Sequence, residues 1–148
     1  MRNVIDELIV KVNVEANNWQ KAITTAGNLL LETGSITDDY IKEMIQSVYD
    51  FGPYMVLTKG FALVHAKPSS AVIHTDISLI TLKTPVNFNS KNDPVKVILC
   101  LACTDKVSHI ENLRVIAEKL MIEGVIEAIA NSNSETEVYQ ILKYGLKR

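Results

Sequence analysis

VKVILCLA, residues 95–102, carries apolar side chains on both parities of its later half. Successive side chains of a strand point to opposite faces, so a strand that is apolar on both parities is covered from two sides. DISLITL, residues 76–82, has the same character toward its end. Two interior strands of this kind call for helices on each face of one sheet, which sets the fold class as α/β.

The flanking segments fill in the layers. LIVKVNV, residues 8–14, alternates in part and is rich in β-branched residues, which predicts an early strand. Asn17 with Gln20 reads as an N-cap pair, and Trp19, Ala22, Ile23, Ala26, Leu29 and Leu30 then recur at helical spacing until Gly34 offers a stop. A second helix begins at Thr37, with Asp38 and Asp39 at its positive dipole end and an apolar stripe of Ile41, Met44, Ile45 and Val48 before FGP ends it. YMVLT and FALV, separated by Lys59-Gly60, predict two short strands around a tight turn or one bulged strand. KTPVNFNSKNDP, residues 83–94, reads as a connection at the sheet edge.

Ser108 with Glu111 forms a capping box ahead of Ile110, Leu113, Ile116, Ala117 and Leu120, and Gly124 interrupts that helix. After VIEAIA, Ser134 with Glu137 opens a final helix bearing Val138, Ile141 and Leu142. The expectation is a single domain over residues 1–148, with a mixed sheet of about five strands flanked by helices on both faces.

Composition narrows the partners. The 148 residues are 47% hydrophobic and 22% charged, which suits one globular domain, and the net charge of −2 with dispersed Lys and Arg argues against nucleic acid. The longest apolar run, VKVILCLAC, falls short of the roughly 20 residues that span a bilayer. The opening MRNVIDELIVKV has no signal-peptide layout, so a cytoplasmic protein without direct membrane insertion is expected. Cys100 and Cys103 lie on a strand three positions apart, facing opposite sides, and read as buried, reduced, structural thiols.

His65 closes the FALV strand, at the kind of strand end where α/β sheets bind ligands. His109 falls at the first position of the helix opened by Ser108, where free backbone N–H groups and the dipole favour an anion and keep an imidazole neutral. A strand-end histidine that accepts a phosphoryl group and a helix-start histidine that steadies its oxygens form one reading. Lys67 adds a cation for an incoming phosphodonor. A competing reading joins Asp105 to His65 and His109 as a two-histidine, one-carboxylate metal site for a small hydrolase. His74 reads as a surface residue. Neither a glycine-rich phosphate loop nor a GxSxG elbow occurs.

GPYMVLTKGFALVHAKP, SLITLKTPVNF, NDPVKVILCLACTD and SHIENLRVIAEKL, taken in order, resemble the enzyme IIA components of the mannitol and fructose class of the bacterial sugar phosphotransferase system, and most of all its ascorbate-type branch. The likeness runs from NNWQKAI to the helix ending near Met121. It implies a relay in which HPr phosphorylates a histidine of enzyme IIA, which passes the group to a cysteine of enzyme IIB, coupled to the membrane enzyme IIC for carbohydrate uptake, here L-ascorbate. No cofactor is implied. The accepting histidine of the family aligns with His65 and the supporting one with His109. Two positions depart: the family's Pro before the histidine is Val64, and its Arg after His-Ala is Lys67, which keeps the charge without the bidentate fork. A regulatory module that reads the phosphorylated state is the second functional class left open. The apolar first strand leaves pairing into a homodimer open as well.

Overall fold

The structure, a computed structural model, describes residues 4–105 and 110–146. Along the chain come α1 (Val4–Glu7), β1 (Ile9–Val14), α2 (Trp19–Glu32), α3 (Asp38–Phe51), β2 (Val56–Thr58), β3 (Phe61–Val64), β4 (Asp76–Val86), β5 (Val95–Ala102), α4 (Ile110–Leu120), α5 (Val125–Ala130) and α6 (Glu135–Tyr144). The five strands form one sheet in the order β1-β4-β5-β3-β2. It is mixed: β1 with β4 and β3 with β5 run parallel, while β2 with β3 and β4 with β5 run antiparallel.

Alternation on β5 divides the core as its sequence predicts. Ile98, Cys100 and Ala102 face a cluster built with α2 and α3, whereas Val97, Leu99 and Leu101 face a second cluster built with Ile5 of α1 and with α4, α5 and α6. All six residues are buried. The two thiols lie on opposite sides as expected, but only Cys100 is buried; Cys103 is half-buried because β5 ends one residue before it.

Local signals hold with small shifts. Helix α2 is capped by Asn18 rather than Asn17: the Asn18 Oδ1 accepts from the Lys21 N–H at 2.9 Å. The same cap-to-N3 spacing recurs one residue later, and Asn18 is the one in extended conformation. Ser134 caps α6 by accepting from the Glu137 N–H at 3.2 Å, while the Glu137 carboxylate reaches back to the Asn133 N–H at 3.2 Å. The Ser108 cap lies outside the described residues.

YMVLT and FALV are two strands. Gly60, at φ +80, makes the turn between them, and its carbonyl accepts from the Lys96 and Val97 N–H groups. Strand β4 runs farther than expected, through Pro85 to Val86. Its register against β5 shifts between Thr81 and Val86, so Lys83, Thr84 and Pro85 are exposed in an irregular stretch where a residue without an N–H is tolerated. Among the described residues no helix is long and apolar enough to cross a membrane.

Candidate functional site

Parallel pairing of β3 with β5 brings the C-terminal ends of both strands to one end of the sheet, with Val64 beside Cys100 as their last partners. His65 follows at that end and is half-buried. Its Nδ1 lies 3.0 Å from the carbonyl oxygen of Leu63. A carbonyl only accepts, so Nδ1 is the donor in this contact, an arrangement that in the neutral tautomer leaves the lone pair on Nε2. Tyr54 meets the ring edge-on, with centroids 5.8 Å apart.

His65 borders an open hollow of about 460 Å³, together with Glu43, Ser47, Phe51, Tyr54 and Lys67. Lys67 is exposed on its rim, where it adds positive charge. The wall opposite the histidine loop is α3. From this helix the fully buried Tyr40 takes the Ala66 N–H at 3.0 Å and reaches the Leu101 carbonyl at 2.9 Å. One turn on, Glu43 accepts from the Ser69 hydroxyl at 2.7 Å. Burial pushes the Tyr40 phenol well above its ordinary value, so it stays protonated and able to donate.

His109 lies outside the described residues. β5 ends at Ala102, beside the end of β3, the strand that His65 follows. Asp105 is exposed three residues beyond β5. Among the described residues no three His, Cys, Asp or Glu side chains gather into a metal-binding group. His74 is exposed, as expected.

Tyr40, Glu43 and Tyr54 escaped the sequence reading. Tyr40 precedes the recognised stripe of α3, four residues before Met44, and a buried tyrosine in such a register requires a partner for its hydroxyl. Tyr54 reads as the first residue of a strand, whereas β2 begins only at Val56 and leaves Tyr54 in the turn facing His65.

Residues 3–145 match the family described as phosphoenolpyruvate-dependent sugar phosphotransferase system, EIIA 2. The mannitol-specific cryptic phosphotransferase enzyme IIA component of Escherichia coli K12 is 31% identical over 139 residues, which span 94% of this chain and 95% of that protein. The solution structure of the Escherichia coli cryptic mannitol enzyme IIA superposes with a TM-score of 0.83 at 30% identity, covering 95% of this chain and 98% of that one. The ascorbate-specific EIIA component of Salmonella typhimurium is 36% identical over 103 residues, 69% of this chain and 67% of that protein. The same fold recurs in the Escherichia coli complex of mannitol enzyme IIA with phosphorylated enzyme IIB, with a TM-score of 0.77 at 21% identity over 93% of this chain and 94% of that one. With the five-stranded mixed sheet, helices on both faces and a near end-to-end match, the chain belongs to the EIIA 2 family of the sugar phosphotransferase system and is a phosphotransferase enzyme IIA component.

Proposed function

We propose that His65 is the phosphoryl acceptor, taking the group from phospho-HPr and yielding it to a cysteine of enzyme IIB, which with the membrane enzyme IIC serves carbohydrate uptake. The observation that carries this is the 3.0 Å contact of His65 Nδ1 with the Leu63 carbonyl oxygen, which favours the tautomer that donates from Nδ1 and leaves the lone pair on Nε2. In the first step the Nε2 lone pair attacks phosphorus in line, a new N–P bond forms, and the bond from phosphorus to the donor's leaving atom breaks. Nδ1–H stays on its carbonyl, which offsets the positive charge that the ring acquires. In the second step a thiolate of enzyme IIB displaces the imidazole, and His65 returns to its neutral form.

His109 is assigned the supporting role of donating a hydrogen bond to the phosphoryl oxygens, and Lys67 that of drawing in the anionic donor. The pairing with enzyme IIB follows the complex known for a protein of the same fold. L-Ascorbate is the proposed carbohydrate, in line with the 36% identity to the ascorbate-specific relative. Enzyme IIA does not touch the sugar in this scheme, so transfer to an ascorbate-type enzyme IIB is the test of specificity.

Incubation with phosphoenolpyruvate, enzyme I and HPr, followed by intact-mass measurement, is expected to give one acid-labile phosphoryl adduct that His65→Ala abolishes. His109→Ala is expected to keep the adduct and slow its formation. Transfer of the group to the enzyme IIB cysteine separates transport from a purely regulatory role. No adduct on the wild-type chain would overturn the proposal.

A further inference from the structure

We infer that Tyr40 is a positioning residue for His65, a bridge that fixes the backbone following the histidine against the end of β5. The inference rests on His65 as the acceptor and adds what holds it in place. Strands β3 and β5 part after the Val64–Cys100 pair. Beyond that point the Tyr40 hydroxyl stands between the two chains, with the Ala66 N–H at 3.0 Å, the Leu101 carbonyl at 2.9 Å and the Ala66 carbonyl at 3.2 Å. A hydroxyl has one proton and two lone pairs. It accepts from the Ala66 amide and donates to Leu101, the nearer carbonyl and a buried contact.

The residue next to His65 is thereby tied to the end of β5. Glu43, one turn along the same helix, ties Ser69 at 2.7 Å, so α3 holds the histidine loop at two points and Lys67 is held at the rim between them. Tyr40 is fully buried, whereas His65 borders the open hollow. The phenol therefore acts through the backbone and not by contact with a phosphoryl group. Misplacing a nucleophile by about 1 Å costs on the order of 100-fold in rate, which gives such a tether kinetic weight.

Tyr40→Phe keeps the ring and removes the bridge. With the full chain, phosphoenolpyruvate, enzyme I and HPr, at a temperature where circular dichroism finds the variant folded, kcat for phosphoryl acceptance is expected to fall about 10- to 100-fold while KM for phospho-HPr stays within about twofold. Long-range proton–nitrogen NMR is expected to find the Nδ1–H tautomer of His65 in the wild type and a tautomer mixture in the variant. In the wild type the Ala66 amide is expected to exchange far more slowly than that of Lys67. An unchanged kcat in the folded variant overturns the inference, as does a wild-type Ala66 amide that exchanges as fast as its neighbour. If the variant does not fold, the wild-type exchange rates decide. Failure of wild-type His65 to become phosphorylated would instead overturn the acceptor role, and the tautomer and exchange readouts would still decide whether Tyr40 positions the ring.

Discussion

Tyr54 stands edge-on to His65, with ring centroids 5.8 Å apart and planes at 86°, and Phe51 repeats the arrangement on Tyr54 at 6.1 Å and 85°. All three rings border the hollow. Edge-to-face pairs contribute about 0.5–1.5 kcal/mol, and Tyr54 is 43% exposed, which puts this pair at the low end. Tyr54→Ala is therefore expected to lower the rate of phosphoryl acceptance by about two- to fivefold through a less confined imidazole. Tyr54→Phe, which keeps the edge contact, should match the wild type. Rapid-quench phosphorylation of the three proteins checks this, and equal losses in both variants would mean that the hydroxyl rather than the ring edge matters.

Where the signal was local and periodic, the sequence was legible. Apolar residues on both parities of 95–102 foretold a strand between two helical layers, and the buried faces of Ile98 and Leu99 bear this out. The Ser134–Glu137 cap and the Lys59-Gly60 turn depend on neighbours within a few residues, so they too are written in the chain. What stayed hidden depends on separation: Tyr40 reaches Leu101 across 61 positions, and nothing in α3 alone says that its hydroxyl ends between two strands. Likewise the extension of β4 through Pro85 follows from a register shift against β5, a property of the pair and not of either strand. For the site, His65 and Lys67 are brought to one hollow, while its α3 wall came only from the packing.

Helices α2 and α3 meet where Gly27 leaves room for Ile41. A Cβ at residue 27 would stand 2.7 Å from Cγ1 and 3.1 Å from Cδ1 of Ile41, a side chain only 6% exposed. Gly27→Ala gains about 1 kcal/mol of helix propensity but meets an overpacking cost of about 1–3 kcal/mol. The larger effect decides, and a net loss of about 1 kcal/mol in urea denaturation is expected. In an Ile41→Ala background the obstruction is gone, so the same Gly27→Ala change should become neutral or stabilising. Additive effects in this double-mutant cycle would rule out the contact as the cause.

The outer edge of β1 is not left bare. Tyr139 donates its hydroxyl to the Leu8 carbonyl, and the Glu135 carboxylate accepts from the Val12 N–H at 3.0 Å. Exposed edge groups invite pairing with a second chain; Glu135 occupies one of them at Val12, and Tyr139 holds the chain just before the strand. Tyr139→Phe should cost about 1 kcal/mol of stability. The double variant Glu135→Ala, Tyr139→Phe should show greater concentration-dependent self-association than the wild type in sedimentation velocity. Equal sedimentation of the two proteins across the concentration range would argue that the caps play no part in keeping β1 from pairing.

Stability at high pH should carry the mark of one buried thiol. Cys100 is wholly buried, its Sγ 3.8 Å from the Met44 Sδ, and burial pushes it from an ordinary 9.0 up to about 12. The folded protein thus keeps a proton that the unfolded chain releases, so the unfolded state binds fewer protons between pH 9 and 12 and stability falls as pH rises through that window. Below it both states are protonated and the contribution is fully present. The buried phenol of Tyr40 acts in the same direction from its own, higher starting value of 10.0. Urea midpoints are expected to be flat from about pH 7 to 8.5 and to decline above about pH 9. Cys100→Ala should lower the plateau, because it opens space in the core, yet flatten the decline that begins near pH 9. At pH 8 a thiol reagent should reach half-buried Cys103 first and Cys100 only on unfolding. A variant that loses stability with the same alkaline slope as the wild type would remove the Cys100 thiol as its source.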